Sequence, residues 1–447
     1  MQEFRVLMGH DTPGYASIGV YRDHGGYEAL RKALHQMTPT EVTDEVYWSG
    51  LRGRGGAGFC TGMKWRFIDR SSPVPKYVVV NADEGEPGTF KDRFIMEHVP
   101  HRVIEGILIA CHAVGAAKAY IYLRGELALC RERLLTAIEE ARRAGLLGAS
   151  VLGSGFDVDI ALHRGAGAYI CGEETALLDS LEGRRAQPRL KPPFPAQAGL
   201  YGCPTVVNNI ETLANVPLIV EHGAEWYRSV GAPNPAVDAA ARTGGPPSGF
   251  GPDSPGTRVF SVSGKLNNPG VFEVPMGTPM SALFGLAGGL REGLELRAVI
   301  PGGSSAPMIG PEHFEIPLTF QTLADAGSML GSGAVVFIDD QTCPVDLALN
   351  LVEFYEHESC GKCTPCREGG QWMRKVLQRI AHGQCREGDL ELVRHVSDGI
   401  KGKCFCALGE SIPAPVNSSL ALFPEHWQYH IEHGSCPIGA KEYSYVG

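Results

Sequence analysis

Cys360, Cys363 and Cys366 recur at two-residue gaps inside the stretch Glu358-Ser-Cys-Gly-Lys-Cys-Thr-Pro-Cys-Arg-Glu-Gly369, and Cys406 follows about forty residues on. Four thiolates, three of them close in sequence, suit a cube of iron and sulfide, which needs four anionic sulfur ligands around one small body. The rival is structural zinc, but a four-cysteine zinc site usually shows two C-x-x-C knuckles, one at each end. Three plus one favours [4Fe-4S]. Cys404 stands two residues from Cys406, so the spacing leaves the fourth ligand open between them.

A second kind of chemistry is written near the amino end. Gly53-Arg-Gly-Gly-Ala-Gly58, with Lys64 and Trp65 after it, is a glycine-dense loop carrying two cations. Such a loop lets backbone N–H groups approach phosphate oxygens, although a purely structural glycine turn reads the same way. It precedes the first clear strand, unlike a standard dinucleotide fingerprint, where the glycines follow the strand. Asn81-Ala-Asp-Glu-Gly-Glu-Pro-Gly88 and Gly165-Ala-Gly-Ala-Tyr-Ile-Cys-Gly-Glu-Glu-Thr175 each come off a strand, at the edge where open α/β sheets bind ligands. Glu173 and Glu174 are either dipole-matching residues of a first helical turn or acceptors for ribose or ribityl hydroxyls. Pro192-Pro-Phe-Pro195, after Lys191, is a chain crossing or a rigid arm that stacks Phe194 on a purine. Asn208 and Asn209 are N-cap candidates first.

The elements that must hold these residues follow from periodicity. Strands are expected at 76–80, 119–123 and 156–160, and helices at 101–115 and 125–144, an order that gives a largely parallel sheet covered by helices. The stretch 231–256, with its Gly/Pro-rich 243–256 portion, reads as a flexible linker or insertion unable to hold a helix or strand. Strands at 258–262 and 270–274 flank a turn, a helix fits 280–287, and strands at 298–300 and 334–338 complete a small α+β unit. From Pro344 the pattern is helical, at 344–358, 367–382, 387–401 and 419–432. The cysteine run falls between the first two of these helices, and Cys406 falls after the third.

The 447 residues suggest two to four domains. A hydrophobic share of 43% with 20% charged residues describes a folded protein, and the net charge of −10 argues against nucleic acid as the main partner. No stretch approaches the ~20 apolar residues of a membrane span; the segment 103–114, broken by Glu105, is expected to be a buried helix. The amino terminus lacks the apolar core of a secretory signal, which makes a reducing compartment the default for thirteen cysteines. Cys111, Cys130 and Cys171 read as buried free thiols. Cys203, Cys343, Cys385 and Cys436 show no ligand spacing and receive no role.

The motifs at 53–59, 81–88, 165–175 and 358–369, taken in this order, resemble one family: the NADH-binding flavoprotein subunit of respiratory complex I (the F-type subunit of NADH-quinone oxidoreductase). The resemblance spans about residues 20–430. It implies an α/β + α+β + all-α multidomain chain. The amino-terminal segment with a Rossmann-like FMN/NADH-binding domain would occupy 1–230, and the linker or insertion 231–256. A ubiquitin-like β-grasp (soluble-ligand-binding) domain would occupy 257–340, and a helical bundle holding one [4Fe-4S] cluster 341–447. Carried over by motif, FMN would rest on Gly53, Arg54, Gly55, Gly56, Lys64, Asn81, Asp83, Glu84, Tyr169, Gly172, Glu173, Glu174, Val207, Asn208, Asn209 and Thr212, with Arg54 and Lys64 on its phosphate. NADH would meet Phe59, Phe67 and Phe194 around its adenine, and Glu86, Glu174 and Lys191 at its polar parts. Cys360, Cys363, Cys366 and Cys406 would hold the cluster.

The family chemistry needs no side-chain catalyst: hydride passes from NADH to FMN, and single electrons go on to the cluster and towards quinone in the proton-translocating complex. The same module serving a soluble NAD-linked hydrogenase or formate dehydrogenase is the nearest alternative; such relatives often carry extra fused domains, and none is visible here. A zinc-stabilised nucleotide-binding scaffold without redox activity, and an assembly subunit that has lost NADH binding, are further readings. The resemblance implies two partners, a thioredoxin-like [2Fe-2S] subunit and a large iron–sulfur subunit. It also implies a peripheral place on the cytoplasmic side of the inner membrane, without direct insertion. Cys60 stands where the family usually has proline, beside the nucleotide, and would alter redox sensitivity.

Overall fold

The computed structural model describes residues 5–9, 12–234 and 253–439. Its first sheet is parallel throughout, with β1 (Tyr77–Ala82), β2 (Lys118–Leu123), β3 (Asp159–Arg164) and β4 (Thr205–Asn209) in the spatial order β3-β2-β1-β4. Val78, Val79 and Val80 are buried on both faces of β1, as expected for a central parallel strand covered by helices. The chain steps from β1 outward to β3 and then returns to place β4 on the other side of β1. Adjacent parallel strands whose connections leave in opposite directions open a crevice at their carboxyl ends. Asn81 pairs with Asn209 at that point.

The helix Pro100–Val114 is buried almost all round, and Glu105 does not interrupt it. Its carboxylate accepts hydrogen bonds from the Tyr21 hydroxyl at 2.5 Å and from the amides of Tyr27 and Leu30 at 3.0 Å, which offsets the cost of burying it. Gly106 lets this helix cross Ile210–His222 closely, since a Cβ there would lie 2.0 Å from the Leu213 carbonyl oxygen. No described helix is long and apolar enough to cross a membrane.

Two short strands, β5 (Gly231–Ala232) and β6 (Ser254–Pro255), pair antiparallel, and the buried Arg228–Asp253 ion pair at 2.7 Å fastens them. The ends of the stretch 231–256 therefore do form strands, contrary to the sequence expectation; its middle, 235–252, lies outside the described residues. A mixed sheet follows, built from β7 (Thr257–Gly264), β8 (Gly270–Pro275), β9 (Leu296–Ile300) and β10 (Ala334–Asp339) in the order β8-β7-β10-β9, with β7 and β10 parallel at its centre. Phe260, Val262, Leu283 and Phe337 fill the space between this sheet and the helix Met280–Leu286.

The last region is helical: Pro344–His357, Thr364–Ala381, Asp389–Ile400, Ala407–Ser411, Pro413–Leu422 and Pro424–His433. Two expectations need correction. The third strand runs Asp159–Arg164 rather than from 156, because Phe156 and Val158 bond back to Val151 and Gly148 instead of to the sheet. The single helix expected at 419–432 is two helices broken at Phe423, since Pro424 has no amide to donate and disfavours helical geometry in the residue before it.

Candidate active site

The glycine loop, the carboxyl ends of β1 and β4 and the turn after β3 converge on a cleft of about 1960 Å³. Every residue assigned to FMN or NADH from sequence lines it, and so does Cys406. Gly56 has φ +133° and open space where a Cβ would stand, so the backbone there faces the cleft bare.

Arg54 is completely buried in the cleft wall. Its amide donates to Thr212 Oγ1 at 2.8 Å, and its Nη2 donates to the Tyr227 hydroxyl and the carbonyls of Pro255 and Thr257 at 3.0–3.1 Å. Its Nε and Nη1 have no partner, and the same two atoms of buried Arg258, which donates to the Arg54 carbonyl, also lack one. Lys64, expected on a phosphate, donates to Glu174 Oε2 and to the Val207 carbonyl, both at 2.9 Å. Lys191 reaches Glu174 Oε1 at 2.9 Å and Glu173 Oε1 at 3.2 Å. Burial opposes the charge on Glu174, but the two ammonium groups outweigh it and pull its pKa down to about 2.

Several other candidates are also held by protein neighbours. Glu173 is the N-cap of the helix Glu174–Leu181, accepting from the amides of Thr175 at 3.0 Å and Ala176 at 2.9 Å, so the helix-end reading applies to it. Asn209 caps Ile210–His222 and donates to Asp92 Oδ2 at 2.6 Å, while Asn208 accepts from the Trp65 indole at 2.9 Å. Both oxygens of Glu84 accept amides, of Asp92 and Arg93, at 2.7 Å. Burial and the neighbouring Asp92 charge raise its pKa, against the pull of Lys91 and those two amides. Asn81 donates to the Gly172 carbonyl at 2.9 Å and joins the β1 and β3 loops. Glu86 accepts from the Tyr169 hydroxyl at 2.6 Å and from the Ser305 amide at 2.8 Å, which ties the first sheet to the second. Asp83 stands apart: burial pushes its pKa up to about 7, and its Oδ2 has no partner.

Phe59, Phe67 and Phe194 are about half exposed at the cleft, with Phe59 and Phe67 6.3 Å apart. Sequence reasoning missed Lys91, whose ammonium bonds Asp92 at 2.8 Å and Glu211 at 2.6 Å wholly inside the wall. It also missed Ser305, which reaches the cleft only because the second sheet docks on the first. Cys60 is buried and does not line the cleft. Burial raises its thiol to about 11, which makes it a weak nucleophile.

At the other end, Cys360 and Cys363 occupy the connection between Pro344–His357 and Thr364–Ala381, with Cys363 at the N-cap of the latter and Cys366 in its first turn. Cys406 is the N-cap of Ala407–Ser411. Cys366 lies within electrostatic reach of the other three thiols, and Cys406 within reach of Glu173. Two helix N-termini point positive ends at the group, which suits an anionic cluster. The loop is docked on the first domain, as Arg185 and Gln187 both donate to the Cys360 carbonyl at 3.2 Å and the Tyr169 amide donates to Glu358 at 2.9 Å. The Cys404 thiol reaches the Ile400 carbonyl at 3.6 Å and also lies beside the Cys363 thiol and within electrostatic reach of Cys366; of the cysteines, Cys406 lines the cleft.

Comparison with known proteins agrees with this layout. The Nuo51 FMN-binding domain matches residues 46–218, the SLBB domain 259–310, and the NADH-ubiquinone oxidoreductase-F iron-sulfur binding region 346–430. An F-type subunit of the NADH-quinone oxidoreductase of Rhizobium meliloti is 51% identical over 97% of this chain and 99% of that protein. Its counterpart in Streptomyces coelicolor is 50% identical over 94% of this chain and 90% of its own. The chain belongs to the family of NADH-quinone oxidoreductase F-type subunits. Among solved structures, a chain of an NAD+-reducing [NiFe]-hydrogenase in the H2-reduced state matches with a TM-score of 0.79 at 35% identity, over 91% of this chain and 65% of that one. This F-type subunit thus spans less than two thirds of that hydrogenase chain.

The cleft fits the cofactors of an F-type subunit. The unpartnered Nε and Nη1 of Arg54, beside the bare glycine backbone, are donors that a phosphate satisfies, and the orphaned Asp83 Oδ2 is an acceptor for hydroxyl groups. Four thiols at two helix ends match the needs of one [4Fe-4S] cluster.

Proposed function

We infer that this chain is the electron-input subunit of an NADH:quinone oxidoreductase of the complex I type, with FMN, one [4Fe-4S] cluster and NADH as substrate. Bound FMN supplies a hydride acceptor that releases electrons one at a time, and the cluster takes them singly towards quinone. The observation that carries the reading is the shared cleft, lined at one end by the glycine loop and Arg54 and at the other by Cys406.

Arg54 and the N–H groups of Gly55 and Gly56 hold the phosphate, and Asp83 accepts from the polyol chain. Lys64 keeps Glu174 ionised and in place rather than meeting the phosphate itself. Phe59, Phe67 and Phe194 take the adenine of NADH, while Glu86, Glu174 and Lys191 orient its polar groups. Cys360, Cys363, Cys366 and Cys406 ligate the cluster; Cys404 does not. Diaphorase service in a soluble NAD-linked complex would use the same residues. Identity of 51% to the Rhizobium meliloti relative against 35% to the hydrogenase chain favours the respiratory assignment.

An F-type subunit works inside a multi-subunit complex. Its partners here are a thioredoxin-like [2Fe-2S] subunit and a large iron–sulfur subunit, with the assembly held peripherally on the cytoplasmic side of the membrane. The assignment is tested by replacing Cys406 with serine in the full chain. Iron should fall while FMN and its reduction by NADH persist, and Cys404→Ala should keep both cofactors. Full iron in Cys406→Ser, or iron loss in Cys404→Ala, moves the fourth ligand to Cys404.

A further inference from the structure

Cys343 and Cys436, to which spacing gives no role, come together with His426 and His430 outside the lining of the cleft. One ligand atom from each of the four lies within 4.8 Å of all the others, and none of the four residues lines the cleft. We propose that these residues form a structural zinc site of the two-cysteine, two-histidine kind, separate from the redox path. The spacings suit one ion. Cys343 Sγ is 3.4 Å from Nε2 of both histidines, and Cys436 Sγ is 3.6 Å from His426 Nε2. A tetrahedral zinc with bonds of about 2.3 Å to sulfur and 2.0–2.1 Å to nitrogen places those atoms about 3.6 Å apart.

The surroundings prepare the ligands. His430 is completely buried, and its Nδ1 lies 3.3 Å from the Ile380 carbonyl oxygen. Donation there fixes the tautomer that leaves Nε2 as a lone pair aimed at the group. His426 and His430 are four residues apart on the helix Pro424–His433 and so share one face. Cys343 is the N-cap of Pro344–His357, where the Asp346 amide points at its sulfur at 3.5 Å and favours the thiolate. Four protein ligands leave no open position, which is the mark of a structural site, and an S2N2 tetrahedron selects zinc. The ion would clamp the last helix and the Cys436 turn onto the start of the helical region. The buried Trp427, whose indole donates to Ser419 at 3.0 Å, and the Ser419 bond to the Pro344 carbonyl at 3.0 Å already bring these parts together.

Metal analysis of the full chain carrying its flavin and cluster tests this directly. About one zinc per chain is expected beside about four irons. Zinc K-edge absorption should show two sulfurs at about 2.3 Å and two nitrogens at about 2.0–2.1 Å. The Cys343→Ser/Cys436→Ser double variant should lose the zinc and keep iron and FMN. His426→Gln, at a half-exposed ligand, gives the same readout should the double variant fail to fold. Zinc near zero in the unaltered chain, zinc unchanged in the variants, or a Cys343–Cys436 disulfide found by mass spectrometry in reductant-free protein would each overturn the proposal.

Discussion

Two charged groups border the same cleft and are built in opposite ways. Lys91, Asp92 and Glu211 are buried and bonded to one another, to the backbone and to the Asn209 side-chain amide, whereas Lys64, Glu174 and Lys191 stand roughly a quarter exposed. A buried ion pair has lost its hydration and depends entirely on its partner. A half-exposed pair keeps water as an alternative and can trade it for a ligand. Under the proposed function the first group is scaffold and the second recognition, although the same residue types make both.

The largest expected effect comes from breaking the buried group. Lys91→Met leaves Asp92 and Glu211 without a counterion and should cost about 3–5 kcal/mol in denaturant unfolding. A loss below about 1 kcal/mol would show that water reaches the wall and that the contrast between the two groups is false. Glu174→Gln should do the reverse. Its effect on stability should be smaller than that of Lys91→Met, while KM for NADH rises about 10- to 100-fold through loss of a charged hydrogen-bond acceptor. An unchanged KM would remove Glu174 from the substrate site.

The smallest effect is on pH dependence. Asp83 is raised to about 7 by burial, so in FMN-free protein its contribution to stability is full below its unfolded value of about 3.9 and is lost as pH rises through 7. Tm of the FMN-free chain should fall between about pH 5 and pH 8, and Asp83→Asn should flatten that slope. Glu174, lowered to about 2, contributes stability that is present above its unfolded value and is lost only as pH falls towards 2. Glu174→Gln should therefore leave the slope between pH 5 and pH 8 unchanged. A slope that survives Asp83→Asn assigns the titration elsewhere.

Which parts were legible in the sequence follows from the range of the interactions. Strands β1, β2, β7, β8 and β10 and the helices on either side of the cysteine run follow from local periodicity, and the motif loops could be assigned to one site because they come off strand ends. Pairing partners could not be read. Nothing local says that Lys64 meets Glu174, or that Glu84 caps a helix seven residues later. The group formed by Cys343, His426, His430 and Cys436 was missed for the same reason, since its first ligand is 83 residues from the second. The i, i+4 histidines on the last helix were the only local hint. The break at Phe423 is marked in the sequence by Pro424, but the apolar pattern continues across it.

The central claim is that NADH reduces a flavin and a cluster held in one cleft. Anaerobic addition of NADH to the full chain, loaded with FMN and iron, tests it most directly. The flavin band should bleach and an EPR signal from a reduced [4Fe-4S] cluster should appear. Absorbance and EPR left unchanged by NADH, in a sample that dithionite reduces fully, would contradict the account.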